Sequence, residues 1–115
     1  MLSRRNRFHG YNSLRHVYRS GRMARWPLFA VKAQENPRRD VYRAAVVVSR
    51  KVSKSAVSRN RMRRRLYSGL QDLAGRITKP HDIVITVFSD GVLDTPASEL
   101  SGQLKKQLKE LGIIK

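Results

Sequence analysis

One helix-length segment in the second half of the chain restricts the possible fold more than any other feature. Within residues 55–75 and just beyond, apolar residues recur at helical spacing and fall within about 80° of arc at 100° per residue; they are Met62, Leu66, Leu70, Leu73 and Ile77. The apolar segments 41–49 (VYRAAVVVS) and 82–88 (DIVITVF) flank it and have the composition of strands. The sequence therefore predicts a helix that links two strands of one sheet.

Turn-forming residues divide the first part of the chain into shorter elements. Residues 11–21 predict an amphipathic helix that ends at Gly21. Residues 28–34 (LFAVKAQ) predict a strand, and the turn-forming residues 36–40 follow it. Because segment 41–49 resumes as a strand directly afterwards, we expect the two strands to form a hairpin.

The end of the chain predicts one more helix. Thr95 is expected to be its N-cap and Pro96 its first helical residue. Its apolar stripe consists of Leu100, Leu104, Leu108 and Leu111. In the second strand, the residues assigned to the core are Val41, Ala45 and Val47.

These elements combine into one small mixed fold. The predicted order is α-β-β-α-β-α, with room for one more short strand near the hairpin, and the class is α+β, a small sheet covered by helices on one face. A chain of 115 residues falls in the single-domain range, so residues 1–115 are expected to form one domain. The absence of cysteine excludes disulfides and Cys-based zinc sites, and no apolar run is long enough to cross a membrane. A cytoplasmic location is expected.

The basic residues are concentrated in two blocks. The chain has 25 Lys and Arg against 8 Asp and Glu, a net charge of +17. Residues 1–25 contain seven arginines, residues 49–65 contain eight basic residues, and neither block contains an acid. Solvated surfaces normally mix both signs. The two blocks therefore indicate an extended polyanion as partner, and nucleic acid is the simplest candidate.

The second block lies on the central helix, on the side opposite its apolar stripe. Asn60, Arg64 and Arg61 fall about 100°, 140° and 200° from Arg59 on a helical wheel, whereas the stripe lies between about 300° and 20°. Arg59 lies in the first turn, where it reaches past the end of the core. Helix N-termini attract anions through unpaired N–H groups. Residues 55–58 followed by Arg59 therefore predict a phosphate or carboxylate site.

Residues 49–66 (SRKVSKSAVSRNRMRRRL) resemble the signature of the bacterial ribonuclease P protein family. The hallmark of that family is an Arg-Asn-Arg helix after a strand that ends in Ser-Lys-Lys or a variant, and residues 56–64 (AVSRNRMRR) are its specific part here. The resemblance covers nearly the whole chain, from the Arg-rich start and Pro27-Leu28-Phe29 to residues 82–85 (DIVI) and the C-terminal helix.

The resemblance implies a fold and a role. The fold would be a single α+β domain, an α/β sandwich of the ribosomal protein S5 domain 2-like kind, whose strand, helix, strand crossover is left-handed, against the usual rule. The protein would be the RNA-binding subunit of an endoribonuclease and assist a catalytic RNA in removing the 5′ leader from precursor tRNA. The active site and Mg²⁺ would lie mainly in the RNA, without an organic cofactor. The protein would be a monomer bound one to one to the RNA, with no membrane partner.

Transferred position by position, the resemblance assigns two groups of residues. Those expected to bind the catalytic RNA are Arg50, Lys51, Arg59, Asn60, Arg61, Arg63, Arg64 and Arg65. Those expected to line a cleft for the single-stranded leader, between the sheet and the N-terminal helix, are Leu14, Tyr18, Phe29, Val31 and Lys32. The departures from the family pattern are Leu14 for a frequent phenylalanine, Ala45 and Ser53 for common glycines, and Tyr67 for a frequent arginine. Leader stacking at Leu14 is therefore expected to be weaker.

Other classes of function remain open from the residues alone. A structural ribosomal protein is also small, basic and bound to folded RNA, although such proteins commonly have extended basic tails. A DNA-binding module could place a basic helix in a major groove, but no helix-turn-helix or heptad pattern accompanies it. A protein-only nuclease is disfavoured, because neither paired carboxylates nor the pair His9 and His16 provides a good set of acids, bases or metal ligands. No catalytic or metal-ligating residue is expected in the protein.

Overall fold

The computed structural model describes Asn6, Arg15, residues 17–19 and residues 21–115. Arg15 and residues 17–19 are helical, in agreement with the predicted N-terminal helix. Gly21, the predicted end of that helix, is not helical. The other residues of the prediction, including Leu14, lie outside the described residues. No helix in the described ranges is long and apolar enough to span a membrane.

Four strands form one mixed sheet. They are β1 (Arg22–Arg25), β2 (Phe29–Glu35), β3 (Arg43–Val47) and β4 (His81–Val87), and their order across the sheet is β1-β2-β4-β3. β2 runs antiparallel to both β1 and β4, whereas β3 and β4 are parallel. The additional short strand is β1, and Trp26 N donates to Phe29 O (3.0 Å) in its turn to β2.

The predicted hairpin between residues 28–34 and 41–49 is wrong, because β4 lies between β2 and β3. The residues in the middle of β4, Ile83, Val84 and Ile85, are all 0% exposed. A strand buried on both faces is favoured in the centre of a sheet, where both of its edges are also hydrogen-bonded. After the turn that follows β2, the chain therefore forms β3 at the edge of the sheet and leaves the position beside β2 for β4.

Two long helices lie within residues 21–115, the continuous described range. α1 (Ala56–Leu73) continues into a 3₁₀ turn (Ala74–Arg76), and α2 (Ala97–Glu110) follows β4 and a second 3₁₀ turn (Asp90–Leu93). α1 is the predicted connection between the parallel strands, and the left-handedness of this crossover stays a prediction. Ser58 N donates to Ser55 Oγ (3.2 Å), which caps α1. At α2 the prediction is off by one residue: Pro96 is the N-cap, and the Thr95 hydroxyl donates to Gly91 O (2.8 Å).

Both helices pack on the same face of the sheet, which confirms the α+β class. The core contains the stripes of α1 and α2 and alternate strand residues, including Phe29, Val31, Ala44, Val46, Ile83 and Ile85. Successive strand residues point to opposite faces. The core residues of β3 are therefore Ala44 and Val46. The assignment of Val41, Ala45 and Val47 to the core is wrong, because all three are only partly buried.

The remaining alternate residues form a second surface, which we call the outer face. It consists of Met23 and Arg25 of β1, Ala30, Lys32 and Gln34 of β2, Arg43, Ala45 and Val47 of β3, and Asp82, Val84 and Thr86 of β4. The chain enters β1 at Gly21, whose N donates to Val17 O (2.7 Å). A Cβ at Gly21 would lie 2.6 Å from Val17 O, so this close approach requires glycine. The helical segment before Gly21 is thereby held next to the sheet.

Candidate nucleic-acid interface

The side of α1 that faces away from the core carries exposed arginines. Arg61 and Arg64 are exposed and form no hydrogen bond or ion pair within the part of the chain that the structure describes. They lie at i and i+3, where like charges repel each other by a few tenths of a kcal/mol. Because Met62, Leu66 and Leu70 anchor the opposite side of the helix in the core, these arginines are held toward solvent. The arrangement suits a phosphate-rich partner.

A concave site lies beside the first turn of α1. Arg50, Lys51, Lys54 and Arg59 line a cavity of about 530 Å³. Arg59 Nη1 donates to Ser53 O (2.9 Å), which ties this guanidinium to the loop that leads into the helix. The cavity has four cationic lining residues and no acidic one. A depression of uniformly positive charge therefore lies beside the predicted anion site and shares Arg59 with it.

Two other arginines of this block have partners inside the protein. Arg63 Nη2 donates to Asn60 Oδ1 on the exposed surface of α1. Arg65 Nη1 donates to Val92 O (2.7 Å) and Leu93 O (2.6 Å), and its Nη2 donates to Thr95 O. Arg65 lies about 60° from the apolar stripe, on the side of the loop before α2. Both terminal nitrogens are engaged, so Arg65 connects α1 to that loop. That Arg65 also binds RNA stays a prediction.

Tyr18 and Lys32 lie together at the outer face. Lys32 Nζ donates to the backbone carbonyl of Tyr18 and lies 6.0 Å from the centre of the Tyr18 ring. The Tyr18 side chain is 41% exposed, whereas the neighbouring Val17 is fully buried. Val17 therefore anchors the segment and Tyr18 presents an aromatic ring beside a cation.

Two of the predicted cleft residues lie on the wrong side of the sheet. Phe29 and Val31 are 0% exposed and belong to the core under the helices. Since Lys32 points to the outer face, its neighbours at odd spacing must point inward. The prediction that Phe29 and Val31 line the cleft is therefore wrong. Of the residues that share the outer face with Lys32, Ala45 and Thr86 are partly exposed, whereas Ala30 and Val84 are buried. Counting in steps of two from Lys32 identifies Ala30 as an outer-face residue from the sequence.

A buried ion pair lies at the edge of the sheet at which β3 and β4 begin, here called the amino edge. Arg43 Nε and Nη2 donate to the two carboxylate oxygens of Asp82, each over 2.9 Å, and Asn36 Nδ2 also donates to Asp82 Oδ2 (2.9 Å). The Asp82 carboxylate is therefore occupied as a structural group. Burial raises the pKa of the nearby Tyr42 hydroxyl, which stays neutral. In the described ranges, no group of three or more His, Asp or Glu residues could hold a metal ion.

Tyr67, the departure from a frequent arginine, has a structural contact. Its hydroxyl accepts a hydrogen bond from Val46 N (3.0 Å), which joins α1 to β3. An arginine at this position could not accept that hydrogen bond, because its side chain has only donors. The exposed charge of α1 is therefore concentrated before Tyr67.

A four-stranded α+β sandwich with solvent-facing arginines on one helix defines a small polyanion-binding protein. Residues 2–112 match the model of the family described as Ribonuclease P. The chain belongs to this ribonuclease P protein family.

Individual relatives support the same assignment. The chain is 31% identical over 115 residues to the ribonuclease P protein component of Pseudanabaena sp., covering 99% of this chain and 97% of the relative. It is 35% identical over 77 residues to that of Chloroflexus aurantiacus, which covers 67% of this chain and 56%, just over half, of the relative's length. The RNase P protein of Staphylococcus aureus has a similar structure, with a TM-score of 0.82 at 21% identity over 96% of this chain and 98% of the other. At that identity the likeness shows the fold.

Proposed function

We propose that this protein is the RNA-binding subunit of a ribonuclease P ribonucleoprotein, which removes the 5′ leader from precursor tRNA, and that the chemistry takes place in the RNA subunit. The observation that carries the proposal is that the side chains of Arg61 and Arg64, within the family-specific segment 56–64, are exposed and form no hydrogen bond or ion pair with the residues that the structure describes. Membership of the family supports the same role.

The protein binds RNA through two surfaces in this proposal. The first is α1 with the cavity lined by Arg50, Lys51, Lys54 and Arg59, and it binds phosphates of the catalytic RNA. Its cations include Arg59, which is held by Ser53 O, and the solvent-facing Arg61 and Arg64. The second is the outer face at Tyr18 and Lys32, which binds the single-stranded leader by stacking and charge. One protein monomer then contacts both the catalytic RNA and its substrate.

The Mg²⁺ required for hydrolysis is held mainly by RNA phosphates in this proposal. The described acidic residues do not gather into a metal-binding group, and Asp82 is already paired with Arg43. The protein would lower the Mg²⁺ requirement indirectly, because its cations screen repulsion between phosphates of the catalytic RNA and the substrate.

The test is 5′ maturation of precursor tRNA by the catalytic RNA of the same organism at low Mg²⁺, with and without the protein. The protein should raise the rate, and the double variant Arg61→Ala/Arg64→Ala should need a higher protein concentration for the same effect. Arg38→Ala is the matched control, because Arg38 is an exposed arginine in the turn after β2, away from α1. A rate that does not respond to the unmodified protein would contradict the proposal.

A further inference from the structure

An exposed aromatic ring is paired with an arginine at the edge of the sheet where β3 and β4 end, here called the carboxyl edge. Phe88 directly follows β4 and is 41% exposed. The Arg25 Cζ lies 4.9 Å from the centre of the Phe88 ring, within the range of a cation–π contact. Arg25 forms no hydrogen bond or ion pair with any described residue. Its N–H donors are therefore oriented by the ring but remain available to a ligand.

The pair lies on the outer face, in continuation of the surface at Tyr18 and Lys32. Arg25 is opposite Ala30 in the sheet register, and Ala30 is opposite Thr86. Phe88 lies two residues beyond Thr86 and points to the same face. Phe88 N donates to Leu28 O (2.8 Å), which extends the pairing of β4 with the β2 side of the sheet and fixes the backbone under the ring. From Val84, opposite Lys32, to Phe88 the distance along β4 is about 13 Å.

Charges of both signs surround the pair. The loop with Arg50, Lys51 and Lys54 follows β3 at the carboxyl edge, and the exposed acids Asp90 and Asp94 follow Phe88. Neither acid forms an ion pair with Arg25. An exposed ring beside a guanidinium that has no carboxylate partner among the described residues fits a ligand that has both a flat base and a phosphate.

We propose that Arg25 and Phe88 form a second nucleotide-binding position for single-stranded RNA. The Phe88 ring stacks on one base, and the Arg25 guanidinium binds a phosphate of the same strand. The inference rests on the proposed function, because the strand would be the precursor tRNA leader, running along the outer face past Tyr18. Stacking on a phenylalanine ring accepts any base, so the position adds affinity without sequence preference.

The test uses the complex of the protein with its catalytic RNA and a series of precursor tRNAs whose leaders increase by one nucleotide. Phe88→Ala should weaken binding about 5- to 150-fold, the range that loss of one base stack covers, but only for leaders long enough to reach the carboxyl edge. Phe88→Tyr should retain the affinity because it keeps the ring. Arg25→Ala should weaken the same long-leader substrates and reduce the salt dependence by about one counterion.

A fluorescent base analogue separates stacking from a structural effect. With 2-aminopurine placed at successive leader positions, one position should be quenched by the unmodified protein and by Phe88→Tyr, and recover its fluorescence with Phe88→Ala. Arg38→Ala is the matched control, because it removes one exposed arginine at the amino edge and should not alter the dependence on leader length.

The outcomes distinguish the two levels of the proposal. If the unmodified protein discriminates by leader length but Phe88→Ala and Arg25→Ala bind every substrate equally well, the second position is refuted and the proposed function stands. If the unmodified protein does not distinguish precursor from mature tRNA, both are refuted. Should Phe88→Ala unfold, the Arg25→Ala variant keeps the inference testable, because Arg25 is an exposed side chain on the edge strand β1.

Discussion

The amino edge of the sheet and the exposed side of α1 use arginine in opposite ways. At the amino edge, Arg43 is 9% exposed and its guanidinium is matched by Asp82. On α1, Arg61 and Arg64 are exposed, repel each other and have no partner among the described residues. The first arrangement stabilises the fold, and the second becomes favourable when a polyanion binds. The comparison teaches that contacts inside the protein, rather than charge density along the chain, separate structural from binding arginines.

The largest expected effect tests the structural side of this comparison. Arg43→Ala should lower the free energy of unfolding by about 3–5 kcal/mol, because it leaves the Asp82 carboxylate buried without its charge partner. Chemical denaturation monitored by circular dichroism measures the change. Arg38→Ala, which removes an exposed arginine in the turn between β2 and β3, should stay within about 0.5 kcal/mol of the unmodified protein. Equal stability of the Arg43 and Arg38 variants would contradict a structural role for the pair.

Two adjacent residues of α1 sharpen the comparison further. Arg65→Ala should lower the free energy of unfolding by about 1.5–3 kcal/mol, because it removes charged hydrogen bonds to carbonyls of the loop before α2. It should leave the salt dependence of RNA binding unchanged. The matched variant is Arg64→Ala at the preceding position of the same helix. If Arg65→Ala reduced the salt dependence as strongly as Arg64→Ala, the assignment of Arg65 to the fold would be wrong.

Local periodicity made α1 predictable, whereas long-range pairing was not. The stripe of Met62, Leu66, Leu70 and Leu73 repeats within one helix and is buried as expected. The position of β4 between β2 and β3 depends on which strand is buried on both faces and edges, and that is decided by the whole sheet. A turn sequence at residues 36–40 is compatible with either a hairpin or a longer connection, so it could not decide between them.

The candidate site shows the same limit at the level of single side chains. Exposure of Arg61 and Arg64 followed from the helical wheel. The partners of Arg65 lie 27 to 30 residues away in the sequence, so no local pattern identified them. The error at Phe29 and Val31 was avoidable, because Lys32 marks the outer face and alternation then directs both neighbours inward.

A substitution at the outer face is expected to change RNA affinity by an intermediate amount. Tyr18→Ala should reduce affinity for precursor tRNA by about 1–3 kcal/mol, the range for one lost base stack, while binding of mature tRNA should not change. Competition binding with the two RNAs, in the presence of the catalytic RNA, measures the difference. Tyr18→Phe is the matched control because it keeps the ring. Equal losses for precursor and mature tRNA would show that Tyr18 does not contact the leader.

The smallest effect on stability is expected at the binding arginines. Arg64→Ala should leave the free energy of unfolding unchanged or raise it by a few tenths of a kcal/mol, because it removes the repulsion with Arg61. The same variant should weaken binding to the catalytic RNA and reduce the slope of log affinity against log salt by about one. Filter binding over a salt series, beside a denaturation curve, measures both quantities on one preparation. Loss of affinity with an unchanged slope would mean that Arg64 acts without neutralising a phosphate, and the contrast with Arg43 would then rest on burial alone.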